Sequence, residues 1–250
     1  VRNLNKYHNG LLKIKNNMKT YILGDVHGMY DKLMACLQAV NFDYENDRLI
    51  SLGDLVDRGP DSFLVVEELL KIRNLVAIRG NHDATWRDAL LKEDPLANTL
   101  YKQGGKQTYE SYSKNCHETS DGRVVVPLSH FNFFVNTQVN YWVDENNNCY
   151  VHGGFDRHDL IQNQLESVLN WDRDLFMSAL SYKAMKDNTY PFRVKDNFNH
   201  IFVGHTPTLY WGIPVPITAA NITNLDTGAG KSNEALLTIM NLETREYEQR

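Results

Sequence analysis

Six polar residues follow short apolar runs of the sequence, and their side chains carry oxygen or imidazole donors. They are Asp25, His27, Asp54, Asn81, His152 and His205. Mixed carboxylate and imidazole ligands suit borderline divalent ions such as manganese, iron or zinc. Six side chains are too many for one ion that keeps an open position, so they favour two ions that share a bridging carboxylate. Two such ions attract a phosphate dianion and acidify a bridging water, which is the basis of two-metal phosphoryl chemistry.

Each of these motifs has a simpler interpretation when it is taken alone. Residues 24–28 could form a turn with a solvated Asp, Asp57 and Arg58 could be a surface ion pair, and residues 226–228 read as a turn. The combination favours chemistry, because four of the nine histidines lie beside glycines at the ends of apolar runs. These four are His27, His82, His152 and His205.

The apolar runs are short and rich in β-branched and aromatic residues, which is typical of buried strands. They cover residues 21–23, 49–52, 75–78, 149–151, 201–203 and 222–225. Helical patterns over 29–40 and 62–72 separate the first three runs, so the sequence predicts a largely parallel α/β core. Ligands gather at the carboxyl ends of strands in such sheets, which brings the polar residues to one edge.

The rest of the chain gives coarser predictions. Residues 1–17 are interpreted as a loose N-terminal arm upstream of the natural start, and residues 18–250 as a single domain. Helices are expected over about 86–130, as a cap beside the site. Paired strands are expected over 131–151 with a turn at 145–148, and a mostly helical segment over 159–185 with a break at 170–174.

Composition and charge exclude several classes of protein. The formal net charge of -5 gives no basic field for general nucleic-acid binding. No apolar run approaches the ~20 residues of a membrane span, so we expect no membrane partner. The three cysteines lie far apart, which argues against a disulfide framework and a structural zinc site and predicts a cytoplasmic location.

Three longer segments carry a family resemblance. Residues 24–28 (GDVHG), 53–59 (GDLVDRG) and 80–83 (GNHD) resemble, in order, the three signatures of the phosphoprotein phosphatase family of metallophosphoesterases. The resemblance extends over residues 18–241 and is nearest to the small bacterial and bacteriophage lambda-type serine/threonine phosphatases. It implies an α/β fold, the calcineurin-like sandwich of mixed β-sheets flanked by helices. Residues 152–153, 204–206 and 226–229 complete the family set, and Gly104-Gly105 and residues 171–173 are further marks of the bacterial and bacteriophage branch.

The resemblance also implies a role for each site residue. Asp25 and His27 would hold a first metal ion, and Asp54 would bridge to a second. The second ion's other ligands would be Asn81, His152 and His205. Both ions are expected to be manganese, with iron or zinc as alternatives.

Four further residues would act on the substrate, again by resemblance. Arg58 and Arg173 would grip phosphate oxygens as bidentate donors, a task for which Lys is a poor substitute. His82 would protonate the leaving alkoxide, while Asp57 would orient His82 and favour its charged form. A metal-bridging hydroxide would attack the phosphorus.

One position departs from the pattern and leaves the substrate open. Asp83 stands where protein phosphatases usually carry Glu, and symmetrical dinucleoside tetraphosphatases often have Asp there; those relatives, however, tend to lack the acid at Asp57. The leading hypothesis is hydrolysis of phosphoserine or phosphothreonine in proteins, with a small phosphoester or a dinucleoside polyphosphate as alternatives. A non-catalytic binding module is disfavoured, because no predicted ligand is missing and His82 is present. The oligomeric state stays open.

Overall fold

The computed structural model describes residues 18–93, 101–120, 122–185, 191–232 and 234–250, so the predicted arm over 1–17 lies outside the described residues. A first mixed sheet contains β1 (Thr20–Leu23), β2 (Arg48–Ser51), β3 (Asn74–Ala77), β9 (Thr238–Asn241) and β10 (Tyr247–Gln249). Its strand order is β10-β9-β1-β2-β3. Strands β1, β2 and β3 run parallel, as their separation by helical patterns predicts.

A second mixed sheet faces the first. It contains β4 (Tyr141–Val143), β5 (Asn148–Val151), β6 (His200–Val203), β7 (Ile217–Ala219) and β8 (Ile222–Asn224), in the order β4-β5-β6-β8-β7. Strands β5, β6 and β8 are mutually parallel. Each sheet therefore has three parallel strands, and the carboxyl ends of those strands carry the predicted site residues.

Helices cover the outer faces of the sheets. They are α1 (Tyr30–Ala39), α2 (Ser62–Leu69), α3 (Asn81–Leu91), α4 (Gly105–Asn115), α5 (Leu128–Asn132), α6 (Glu166–Trp171) and α7 (Asp174–Ala184). The break between α6 and α7 falls within the predicted interval 170–174. Among the residues described, no helix is long and apolar enough to cross a bilayer.

Three apolar layers hold the sandwich together. Ile22, Ile50, Tyr150 and Phe202 belong to the layer between the sheets, and all four are fully buried. A second layer joins the first sheet to α1–α4, where Trp86 and Tyr112 are fully buried. A third layer joins the second sheet to α6 and α7. Burial of each large side chain stabilises the fold by roughly 1.5–3 kcal/mol. The predicted α/β sandwich of mixed sheets flanked by helices is confirmed.

The prediction for residues 131–151 is wrong in its first third. Only β4 and β5 pair as strands, around a turn at 144–147. Residues 131–137 complete α5 and form a π-helical turn, Phe133–Thr137. Phe133 and Phe134 are both buried although they are adjacent. A helical stretch that starts at Pro127 can bury neighbouring side chains on one broad face, whereas a strand points them to opposite faces.

Candidate functional site

Each predicted metal ligand lies just after a strand. Asp25 and His27 follow β1, Asp54 follows β2, and Asn81 begins α3 after β3. His152 and His205 follow β5 and β6 in the other sheet. All six side chains are buried, with at most 6% exposure, which is that of His205. The structure thus brings the six residues to one end of the sandwich, where the two sheets meet.

The backbone is strained at this end. His27, Asp54, Asp57, Arg58 and His205 all have positive φ angles, between 48° and 72°. Residues with a Cβ rarely adopt this conformation, which costs of order 1–3 kcal/mol each where the surroundings impose it. Such strain concentrates at functional sites, and here it affects five of the ten residues selected from the sequence.

Two groups of side chains could hold metal ions, and they share Asp54. One group is His27, Asp54 and His82; the other is Asp54, His152 and His205, with the ligand atoms of each group within 4.8 Å of one another. Asp54 Oδ2 lies 3.5 Å from His27 Nε2, and Asp54 Oδ1 lies 3.4 Å from His152 Nε2. One carboxylate therefore faces both positions, which is the arrangement expected of a bridging ligand.

Asp25 and Asn81 complete the surroundings of the two groups. The carboxylate of Asp25 falls outside both groups and accepts the backbone N–H of His205, at 3.3 and 3.1 Å to its two oxygens. Asn81 Oδ1 lies 3.1 Å from His152 Nε2. The predicted ligands are thus neighbours, and their individual roles stay predictions.

Two buried imidazole nitrogens support a cation site. Nε2 of His27 and Nε2 of His205 are buried and have no hydrogen-bond partner among the residues that the structure describes. His27 Nδ1 donates to the Val56 carbonyl at 3.0 Å, which leaves a lone pair on Nε2. Burial, and then the Arg58 guanidinium, lower the pKa of His27 well below its usual range. Burial and His152 lower the pKa of His205 to about 2. Both rings are therefore neutral and free to donate to a metal, so these residues fit the ions that the sequence predicts.

Asp54 and His152 are charged partners. Burial alone would raise the pKa of Asp54, but the His152 and His82 rings outweigh it and hold that pKa well below its usual range. Burial would lower the pKa of His152, whereas Asp54 raises it to about 10. A cation bound beside Asp54 would compete for the place of the His152 proton, so cation binding there releases a proton.

Acidic side chains are in excess at this end of the molecule. Burial, and then the neighbouring Asp226, raise the pKa of Asp25 well above its usual range. Burial raises the pKa of Asp83 to about 6, with a further contribution from Asp54, and burial likewise raises the pKa of Asp226 to about 6. Crowded buried carboxylates are costly unless a cation compensates them, so the same region favours bound cations.

His82 has a different environment from the other site histidines. Its Nδ1 lies 2.6 Å from Asp57 Oδ2, and its Nε2 lies 3.1 Å from Arg58 Nη2. Asp57 Oδ1 in turn accepts the hydroxyl of Thr108 at 2.7 Å. A carboxylate and a guanidinium thus occupy both ring nitrogens. A guanidinium in front of Nε2 would repel a metal ion there, which separates His82 from the ligand histidines although it lies close to His27 and Asp54.

Arg173 lies between α6 and α7, on the second sheet's side of the site. The neighbouring Trp171 places its ring 5.7 Å from that of His205. The charge of Arg173 also contributes to the low pKa of His205, after burial and His152. The side chain of Arg173 is exposed, and Arg58 is only partly buried, so both guanidinium groups are open to a ligand from solvent.

Sequence reasoning missed three supporting residues. Thr108, on α4, binds Asp57 from 51 positions away, and nothing local in the sequence marks that contact. Asp83 accepts the backbone N–H groups of Gly80 and Leu55, so it fixes the loops that carry Asn81 and Asp54. Asp226 is assigned to a turn and to the family pattern but to no role in the site, although its position directly after an apolar run is the signal that selected the six ligands.

Comparison with known proteins agrees with the architecture. A profile of the calcineurin-like phosphoesterases matches residues 18–209. The chain is 29% identical over 215 residues to serine/threonine-protein phosphatase 2 of Salmonella typhimurium, covering 84% of this chain and 87% of that protein. It is also 38% identical over 104 residues to the symmetrical bis(5'-nucleosyl)-tetraphosphatase of Coxiella burnetii, covering 40% of this chain but only 35% of that protein.

A solved structure shows the same fold. The metallophosphoesterase from Sphaerobacter thermophilus matches 93% of this chain and 87% of its own length with a TM-score of 0.53, at 18% identity. The family profile covers most of the chain, including every strand that carries a predicted metal ligand. Buried His and Asp groups that could hold metal lie at the ends of these strands. The chain belongs to the calcineurin-like phosphoesterase family.

Proposed function

We propose that the chain is a metal-dependent phosphatase that hydrolyses phosphate monoesters, with phosphoserine and phosphothreonine in proteins as its substrates. The observation that carries this proposal is the chain of contacts from Thr108 through Asp57 to His82, which ends at Arg58 beside the shared carboxylate Asp54. In this proposal His82 is the proton donor and Arg58 the phosphate-binding group, both next to the candidate metal site.

The ligand assignment is the one that the family resemblance implies, and it is supported by the clustering of His27, His152 and His205 around Asp54. Asp25 and His27 with Asp54 would hold one divalent ion; Asn81, His152 and His205 with Asp54 would hold the other. When bound, the two ions supply Lewis acidity toward the phosphoryl oxygens and activate a water for attack. Manganese is our proposal for both, with iron or zinc as alternatives, because the donors are oxygens and imidazoles.

Arg58 has two possible partners during the reaction. In the structure its guanidinium donates to His82 Nε2. A phosphate dianion is a stronger acceptor than a neutral imidazole, so the substrate would draw Arg58 away. His82 Nε2 would then take up a proton from solvent and donate it to the leaving oxygen, while Asp57 would stabilise the protonated ring through Nδ1. Arg173 would bind the phosphate from the opposite side.

The need for an acid favours an alkyl monoester. The alkoxide of serine or threonine is a poor leaving group and requires a proton as the phosphorus–oxygen bond breaks. The leaving group of a phosphoanhydride is a stable phosphate anion, which departs with little need of protonation. A buried carboxylate that holds His82 is therefore more useful for phosphoserine than for a dinucleoside polyphosphate.

A dinucleoside polyphosphate is the second candidate substrate. It is favoured by Asp83, which stands where symmetrical tetraphosphatases often carry Asp, and by the similarity to the Coxiella burnetii tetraphosphatase over 104 residues. Hydrolysis rates of a phosphoserine peptide and of a symmetrical dinucleoside tetraphosphate, compared on the manganese-loaded protein, discriminate the two. Faster turnover of the tetraphosphate would contradict the leading proposal.

The role of His82 is tested by changing the leaving group. His82→Asn should lower kcat on a phosphoserine peptide by about 10²–10⁴-fold, and clearly less on an aryl phosphate whose phenolate leaves without a proton. Asp57→Asn should show the same preference in milder form, because Asp57 acts through His82. Metal content, measured by mass spectrometry, should stay at the wild-type value.

Two outcomes would count against an acid at this position. If His82→Asn lowers kcat equally on both substrates and also loses metal, then His82 is a metal ligand. Equal losses with metal retained would place the proton donor elsewhere in the site.

A further inference from the structure

Only one of the two carboxylate oxygens of Asp226 forms a hydrogen bond within its turn. Asp226 follows β8, and its side chain is only 1% exposed. Oδ1 accepts the backbone N–H of Gly228 at 2.9 Å, which accounts for the turn. Oδ2 is buried and lacks a hydrogen-bond partner among the described residues. An unsatisfied buried oxygen of this kind costs free energy and points to a missing partner.

The turn of Asp226 is packed onto the loop of Asp25. Thr238 joins the two, since its carbonyl accepts the N–H of Gly24 at 3.0 Å and its hydroxyl lies 2.7 Å from that of Thr227. Gly24 also touches the Leu225 carbonyl so closely that no Cβ would fit. Asp25 and Asp226 are the residues that come next in each loop, so their carboxylates are neighbours.

The positive charges that act on these carboxylates, Arg58 and His152, do so from beyond ion-pair distance. Among the residues that the structure describes, no Lys, Arg or His side chain lies within ion-pair distance of Asp25 or Asp226. The only hydrogen-bond donors that reach them are the backbone N–H groups of His205 and Gly228. Two adjacent buried acids with unused acceptor capacity make a place for a positive ion. His27 lies against the same turn, because a Cβ on Gly230, which follows Asp226, would sit 2.7 Å from His27 Cβ.

We propose that Asp226 is a further acidic residue of the metal centre, and that it increases affinity for the divalent ion nearest Asp25. The inference rests on the proposed two-metal function. Residues that surround metal ligands and add charge or hydrogen bonds typically contribute 10–100-fold to metal affinity. Asp226 lies where it can compensate that ion while Asp54 is shared between both positions.

Manganese binding to metal-free full-length protein tests the proposal. Asp226→Asn keeps the size of the side chain and an oxygen for the Gly228 N–H, but it removes the negative charge. In calorimetric titrations it should weaken one binding step by about 10–100-fold. That step should be the one that Asp25→Asn removes, while the step that His205→Asn removes should keep its affinity.

A neighbouring substitution controls for damage to the turn. Thr227→Val loses the hydroxyl contacts to Leu236 and Thr238 but keeps the carboxylate of Asp226, so it should lower the melting temperature without changing manganese affinity. The rise in melting temperature on manganese addition gives a second measurement, because only ligand binding to the folded state produces it. Asp226→Asn should lose part of that rise, whatever its metal-free melting temperature.

Three results would overturn the inference. Wild-type affinity at both steps in Asp226→Asn would reduce Asp226 to a turn residue. An equal loss of affinity in Thr227→Val would show that the turn, and not the charge, matters. Failure of the wild type itself to bind manganese, iron or zinc would overturn the proposed function as well, and is distinguishable because it appears before any substitution is made.

Discussion

At the scale of single residues, the site histidines are distinguished by the groups that form hydrogen bonds with their ring nitrogens. His27 and His152 each use Nδ1 to donate to a backbone carbonyl, Val56 and Leu52, which directs Nε2 toward Asp54. His82 instead pairs Nδ1 with the carboxylate of Asp57, at 2.6 Å. Fixing the tautomer in this way separates the proposed ligands from the proposed acid, although all of these rings lie within one small volume.

The two arginines should have unequal effects at this scale. Arg58→Ala should lower kcat/KM on a phosphoserine peptide by about 10²–10³-fold, because it removes the guanidinium that we propose binds the phosphoryl oxygens. Arg173→Ala should lower it less, because the exposed side chain must be ordered before it can bind. Metal content should be unchanged in both variants. Arg58→Lys should recover little activity, since an ammonium cannot bind two oxygens as a planar fork does.

A matched control is available in Arg73, whose exposed guanidinium pairs with Glu45 on the surface. Arg73→Ala should leave kcat/KM unchanged. Full activity in Arg173→Ala would show that this arginine is only a surface charge on the approach to α7, and that the likeness of residues 171–173 to the family pattern is accidental.

At the scale of elements, the positions of the strands could be predicted from the sequence, whereas long-range contacts between elements could not. Parallel strands buried on both faces read as continuous apolar runs, so the runs before Asp25, Asp54 and Asn81 could be found directly. The helical stretch around Phe133 resembled a strand because its aromatic residues cluster in sequence. The contact of Thr108 with Asp57 joins α4 to a loop 51 residues earlier, and such a contact leaves no local pattern. The predicted helical cap over 86–130 stays a prediction, because residues 94–100 and 121 within it lie outside the described residues.

Close packing of Gly80 against the loop of Asp54 should determine whether the site binds metal, and substitution of Gly80 tests this. Gly80 lies between β3 and α3, and a Cβ there would overlap the carboxylate and the backbone nitrogen of Asp54. Its φ of -84° suits any residue, so Gly80→Ala acts through the overlap and not through backbone strain. We expect Gly80→Ala to lose much of its affinity for manganese. Metal content and phosphatase rate, measured on the same preparation, should both fall.

Gly212→Ala separates the overlap from a general cost of replacing glycine. Gly212 has a φ of 68° but open space around its Cβ position, so the substitution should cost about 1 kcal/mol of stability without affecting metal binding. If Gly80→Ala binds manganese like the wild type, the loop of Asp54 must be able to move, and the strained φ angles of the site would not reflect a rigid arrangement.

At the scale of the whole molecule, the two ends of the sandwich differ in their side chains and in their packing. The end at the carboxyl termini of β1, β2, β5 and β6 carries the buried acids and imidazoles. The opposite end is closed by packing between the sheets, where the guanidinium of Arg245, from the turn between β9 and β10, lies 4.6 Å over the ring of Phe202 in the second sheet. Stability of the assembled sandwich can therefore be varied at one end without touching the site at the other.

His200, the first residue of β6, should make that stability depend on pH. Burial, and then the nearby Arg245, lower the pKa of His200 from 6.5 to about 4 in the folded protein. The unfolded chain therefore binds the proton first as the pH falls. The stabilisation is fully present above about pH 6.5 and is lost progressively between pH 6.5 and 4. Because the ring is partly exposed, we expect a loss on the order of 1 kcal/mol between pH 7 and pH 5.

Comparison with His200→Gln isolates this contribution. Glutamine cannot titrate but can still bond to Thr223, whose hydroxyl lies 2.8 Å from His200 Nε2. Urea unfolding of the metal-free proteins at pH 7, 6 and 5 measures both free energies, and all other titrating groups are common to the two chains. The wild type should lose more stability on acidification than the variant, so the difference between them should change with pH. Parallel dependence on pH would mean that His200 accepts its proton in the folded state as readily as in the unfolded chain.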